Sequence, residues 1–154
     1  MNKTTRVLIA LLILSISCKC SFIGRLLKKH QKRKIVWEIV SVKDPKLNQF
    51  LKTKYKNGRP KITLDGDQLS FQIVNGCSAS SEPGLMHNQL MCTCMAAVDQ
   101  TWNELETYVV DVVSKNLEGL MGGKFLANST TLNGKSGKEL LIALISYTPP
   151  QTKA

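Results

Sequence analysis

The chain has little from which to build a catalyst. Histidine occurs twice, and only His87 stands outside the basic N-terminal stretch. A cysteine nucleophile would have that one base, with Glu82 or Asp99 to orient it, so no catalytic residue is expected. Cofactor motifs are missing too. Gly122-Gly123-Lys124 lacks the rest of a phosphate loop and reads as a turn. The longest apolar stretch, residues 7–16, is about half the roughly 20 residues a spanning helix needs. Acidic residues are scarce in one half only: residues 25–61 hold thirteen lysines and arginines against Glu38 and Asp44, whereas residues 62–154 hold five lysines against nine acids. A uniformly basic fold would suggest a nucleic-acid surface; a basic arm ahead of a mildly acidic body suggests a tail that touches phosphates, lipid headgroups or nothing, and no nucleic acid is expected as partner.

What is present begins with an export signal. Asn2-Lys3-Thr4-Thr5-Arg6 is a basic start, residues 7–16 are apolar, and Ser15 and Ser17 occupy the −3 and −1 places of a cut before Cys18. Residues 1–17 are expected to be a secretory leader, with the mature chain in the secretory pathway or outside the cell, or facing the envelope or periplasm in a bacterium. A bacterial source would also make Cys18 a candidate for acylation. Residues 18–34 form a basic amphipathic linker, in which Phe22, Ile23, Leu26 and Leu27 precede Lys28, Lys29, Lys32, Arg33 and Lys34. These five cations would contact an anionic membrane surface, or the segment is a solvated connector.

The 154 residues allow one domain, expected over residues 35–147 with a tail at 148–154. Residues 35–42 are β-branched and apolar around Trp37, a strand. Lysine-rich residues 43–60, broken by Asp44-Pro45 and Asn57-Gly58, read as a long loop with room for a helical turn around Leu47, Phe50 and Leu51. Residues 62–64 and 69–73 flank Asp65-Gly66 as a hairpin whose Leu69, Phe71 and Ile73 face the core. A further strand is expected over 85–95. The period then changes from two to about four: Val98, Trp102, Leu105, Val109 and Val112 mark one helix face, opened by a Thr101/Glu104 capping box and closed by a left-handed Gly119. Short strands follow at 125–127, 130–132 and 139–147. The expected class is mainly β (α+β), a small antiparallel, calycin-like β-barrel or curled sheet with one α-helix packed on it.

The order of these features resembles the META domain family, of the HslJ heat-shock lipoprotein and trypanosomatid META type. Trp37 leads the first strand. Pro60-Lys61-Ile62-Thr63-Leu64 matches a P-x-I-x-F strand, Gly76-Cys77-Ser78 falls at the family's G-C-N, and Thr93-Cys94-Met95-Ala96-Ala97 falls at its T-x-M-A-C. Asn103, Glu104 and Leu105 lie in the helix behind. The resemblance implies a structural role for Trp37, Gly76, Cys77, Thr93, Met95, Asn103, Glu104 and Leu105. It also implies an envelope or secretory protein linked to stress or virulence rather than an enzyme, and the expected role is non-catalytic binding to a protein partner that the sequence does not name. Ser78 replaces an Asn and Ala97 a cysteine, which removes the disulfide partner that the family would give Cys77. Cys94 is the expected substitute, reached through a bulge, with Cys92 left as a buried thiol.

Other readings start from single stretches. Met86, His87, Met91, Cys92, Cys94 and Met95 are soft donors suited to Cu(I) or zinc, but strand alternation sends them to opposite faces, and no metal site is expected. Gln72-Ile73-Val74-Asn75-Gly76 fits the Q-x-V-x-G loop of cystatin-type cysteine protease inhibitors. A closed barrel would offer its interior to a small apolar ligand or lipid. Asn128-Ser129-Thr130 is an N-glycosylation sequon, expected at a hairpin tip.

Overall fold

Alternation sorts the first strand. In the computed structural model, which describes residues 33–82, 88–93 and 99–150, β1 (Lys34–Val42) buries Ile35, Trp37 and Ile39. β2 (Lys61–Asp65) and β3 (Gln68–Gln72) do the same with Ile62, Leu64, Leu69 and Phe71, and Ile73 is buried just beyond. Asp65 pairs with Gln68 across a two-residue turn in which Gly66 takes φ 60°, a conformation open to glycine at no steric cost. With β4 (Gly76–Ser80), β5 (Met91–Cys92), β6 (Ser129–Asn133) and β7 (Glu139–Thr148) these strands form one antiparallel sheet, ordered β5-β4-β3-β2-β1-β7-β6.

The sheet is open, with β5 and β6 at its edges. The curled-sheet form of the expectation therefore holds and the closed barrel does not, which removes the lumen that a lipid carrier would need. Two bulges lie between β1 and β7. Pairing steps from Val36↔Ser146 to Trp37↔Leu144, leaving Ile145 as the extra residue, and from Ile39↔Ile142 to Ser41↔Leu141, leaving Val40 as the extra residue. The second resets the alternation, so Val42 and not Ser41 enters the core. Bulges of this kind bend the strand and increase its twist.

Three helices pack on the side of the sheet that carries these apolar residues. The expected loop after β1 is largely α1 (Pro45–Lys54): the Asp44 carboxylate accepts from Leu47 N at 2.9 Å, and Pro45 fills the first helical position, where its missing N–H costs nothing. Leu47 and Leu51 seat the helix. In α2 (Gln100–Lys115) the buried face is Leu105, Tyr108, Val109, Val112 and Val113, as its period predicts. Its cap is Asp99, which accepts from Trp102 N at 3.1 Å, and not the expected Thr101/Glu104 pair. Gly119 sits inside the short α3 (Leu117–Met121), and the left-handed glycine is Gly123, at φ 68°.

Residues 125–127, expected as a strand, are a connection whose Phe125 carbonyl accepts from the Trp37 indole at 2.7 Å. The strand expected over 85–95 is described only as Met91–Cys92. The leader, most of the linker (Cys18, Cys20, Lys28, Lys29, His30, Lys32), Met86, His87, Cys94, Met95 and Val98 lie outside the described residues.

Candidate functional site

Three of the eight motif residues, Gly76, Cys77 and Thr93, meet at one corner, where β4 pairs with β5 and the turn into β4 reaches the middle of α2. The β4–β5 register sets Cys77 opposite Cys92, with Cα atoms 4.0 Å apart, and the two are joined as a disulfide. This corrects the expected Cys77–Cys94 bond and the free thiol at Cys92. No bulge at Cys94 is needed: 92 and 94 share a face, and the register sets Cys92 directly opposite Cys77. Next to the disulfide, the Thr93 amide and hydroxyl both donate to the Gly76 carbonyl, at 3.0 and 3.2 Å.

Behind this clamp stands Glu106. Its carboxylate accepts from Val74 N at 2.9 Å, Asn75 N at 2.6 Å and Asn75 Nδ2 at 2.8 Å. A turn entering β4 leaves these donors without strand partners, and α2 supplies the acceptor from one side chain. Tyr55 closes the corner by donating to the Ile73 carbonyl at 3.1 Å. Burial, and secondarily the Glu106 charge, raises its phenol above the ordinary tyrosine range. Trp102 packs edge to face with Phe50 and Tyr55, at 4.9 and 5.9 Å between ring centres. Glu106→Ala is expected to destabilise the fold by about 2 to 3 kcal/mol, because it strands partly buried amides that now bond a charged acceptor. Glu106→Gln keeps one acceptor oxygen and should lose about half as much. Urea titration of both variants checks this, and equal losses would mean that packing, not hydrogen bonding, is what Glu106 provides.

The remaining motif residues do not join that corner. Trp37 is buried under the connection to β6, and Leu105 is buried in α2. Glu104 pairs with Lys46 at 3.1 Å and accepts from Gln100 at 2.9 Å. Together with exposed Asn103 it lines a cleft of about 400 Å³ between the start of α1 and the first turns of α2. In that cleft Asp44 is engaged as a helix cap, Lys138 pairs with Asp111 at 3.4 Å, and the Tyr108 hydroxyl both donates to the Glu139 carbonyl and accepts its amide, at 3.1 and 2.9 Å. Nearby, Lys43 pairs with Glu139, whose hydrogen bond and charge raise the lysine above its usual range. The cleft is open and lined mainly by apolar surface. It does not assemble a nucleophile with a base.

No family model, characterised protein or solved structure matches this chain. The site therefore rests on its own geometry, which also revises the other readings. The sulfur of Cys92 is bonded to Cys77, so the soft-donor set loses a thiolate, and Met91 is exposed on the opposite face of the sheet. Among the described residues no group of three His, Cys, Asp or Glu is placed to hold a metal ion. Ile73 of the Q-x-V-x-G stretch is in the core and the amides of Val74 and Asn75 are held by Glu106, so the stretch is not a loop free to enter a protease cleft.

Arg33, expected to face a membrane, instead donates to the Met121 and Gly122 carbonyls at the end of α3, and Lys34 is the first residue of β1. Asn128 is not at a hairpin tip. It is exposed on the bend that enters β6, and its carbonyl accepts from Leu144 N at 3.0 Å. Glu106 carried no sequence signal beyond its place beside the buried Leu105.

Proposed function

We propose that the chain is an exported, non-catalytic binding or interaction module of the META/HslJ type, which presents its loops to a partner in the envelope or secretory pathway. The observation that carries this reading is the corner itself. Gly76, Cys77 and Thr93, distant in sequence and drawn from two motif pieces, meet around a disulfide, and disulfides persist mainly in oxidising compartments. An exposed sequon at Asn128 fits the same compartment. A role in stress or virulence follows from the family resemblance alone.

Expression of the full chain in a eukaryotic secretory host tests the reading. The product should reach the medium, begin at or near Cys18, and carry a glycan that endoglycosidase removes from the parent and that Asn128→Gln never acquires. A cytosolic product that keeps Met1 and reduced Cys77 would sink the reading. Secretion without the glycan would remove only the modification.

A further inference from the structure

The positive charge of this chain is not confined to its N-terminal linker. From residue 45 to residue 64 there are six basic side chains, Lys46, Lys52, Lys54, Lys56, Arg59 and Lys61, and no acidic one. The fold fixes them along α1, the segment after it and the start of β2, with all but the half-buried Arg59 exposed. Two have opposite charge nearby: Lys46 pairs with Glu104 at 3.1 Å, and Lys61 lies across from Glu38 in the β1–β2 register. Asp44 caps the far end of α1, and Glu106 is engaged by Val74 and Asn75. Every aspartate and glutamate of the chain is among the described residues, and none comes within 4.0 Å of Lys52, Lys54, Lys56 or Arg59.

Fold stability accounts for part of this. Lys52 and Lys54 occupy the last turn of α1, where a helix favours cations, and Lys54 also lies over the Phe50 ring at 5.5 Å. Lys56 and Arg59 lie past the helix end, so that account does not extend to them.

We infer that the C-terminal end of α1 and the segment that follows it form a docking surface for anionic phospholipid headgroups. The inference rests on the reading of the basic linker as a membrane contact. Two features favour lipid over a nucleic acid or another linear polyanion. The aromatic rings nearby, Phe50, Tyr55 and Trp102, are half-buried and packed edge to face through Trp102, not set out as a row of exposed faces on which bases stack. The same chain also carries Phe22, Ile23, Leu26 and Leu27 directly before Lys28 and Lys29, apolar side chains that a bilayer interior accepts and a polyanion does not. Stable attachment takes two signals, and a fixed cationic face supplies the second.

The test is sedimentation of the full chain with phosphatidylserine-containing vesicles and with pure phosphatidylcholine vesicles, reading the difference between them so that the apolar leader cancels. Each lysine held near an anionic surface strengthens binding about fivefold. The triple variant Lys52→Glu/Lys56→Glu/Arg59→Glu should therefore lose at least about thirtyfold of the anionic preference at about 0.1 M salt, while still unfolding cooperatively in urea. A second variant, Lys28→Gln/Lys29→Gln/Lys32→Gln, should lose part of it.

Full retention by the first variant with loss in the second would overturn the surface and leave the linker reading standing. An absence of anionic preference in the parent chain would overturn both. Tighter binding to heparin or RNA than to vesicles at the same salt would replace lipid by a linear polyanion.

Discussion

Trp37→Ala is expected to lower the stability of the fold by about 3 to 5 kcal/mol, the range found when a large aromatic side chain is deleted from a core. Trp37 is 1% exposed at the centre of β1, between Ile62 of β2 and Leu144 of β7. Its indole N–H also donates to the Phe125 carbonyl. The truncation removes the packing and strands that carbonyl at once. Trp37→Phe retains most of the volume and isolates the lost hydrogen bond, expected at about 1 to 2 kcal/mol. Urea denaturation followed by circular dichroism measures both, since Trp37 and Trp102 are the only indoles. A loss under about 1 kcal/mol for the alanine variant would mean that β1 is not the centre of the core.

The second large effect is expected at Cys77 and Cys92. Their disulfide joins residues 15 apart, a loop worth about 3 kcal/mol when the loss of chain entropy in the unfolded state is its source. It also fastens a two-residue edge strand that has few other contacts. Cys77→Ser/Cys92→Ser should lose that amount, whereas Cys94→Ser should change little. Peptide mapping without reduction should recover the segments containing Cys77 and Cys92 as one cross-linked species. Complete alkylation of Cys77 in the folded, unreduced protein would show that no bond exists and that β5 is held by hydrogen bonds alone.

How far the sequence exposed all this depends on which residue carries the signal. Leu69, Phe71 and Ile73 were legible because alternation on a half-buried strand is a local property, and Leu105, Val109 and Val112 because a helical stripe is too. α1 was not. Asp44-Pro45 reads equally as a turn or as a cap followed by a first helical proline, and Leu47, Phe50 and Leu51 are too few to decide between them. The bulges at Val40 and Ile145 were invisible, because an extra residue is defined only against a partner strand. The disulfide was half legible: alternation put Cys92 and Cys94 on one side, and the choice between them depends on a register fixed by tertiary contacts. Glu106 was hidden for the same reason, since its donors belong to another element.

The placing of β1 has a consequence for how the chain comes to be folded. β1 is the first strand made and β7 the last, yet β1 lies in the middle of the sheet, flanked by β2 on one side and β7 on the other. The sheet cannot be completed from its centre until residues 139–148 have left the ribosome, and that closure spans about a hundred residues, the slow kind of contact. The early strands can pair as hairpins meanwhile, but hairpins alone are marginal in water. If the chain is exported as proposed, late closure is an advantage: a polypeptide that stays loose until its last strand is synthesised remains threadable while it crosses a membrane, and gains its cross-link on the far side.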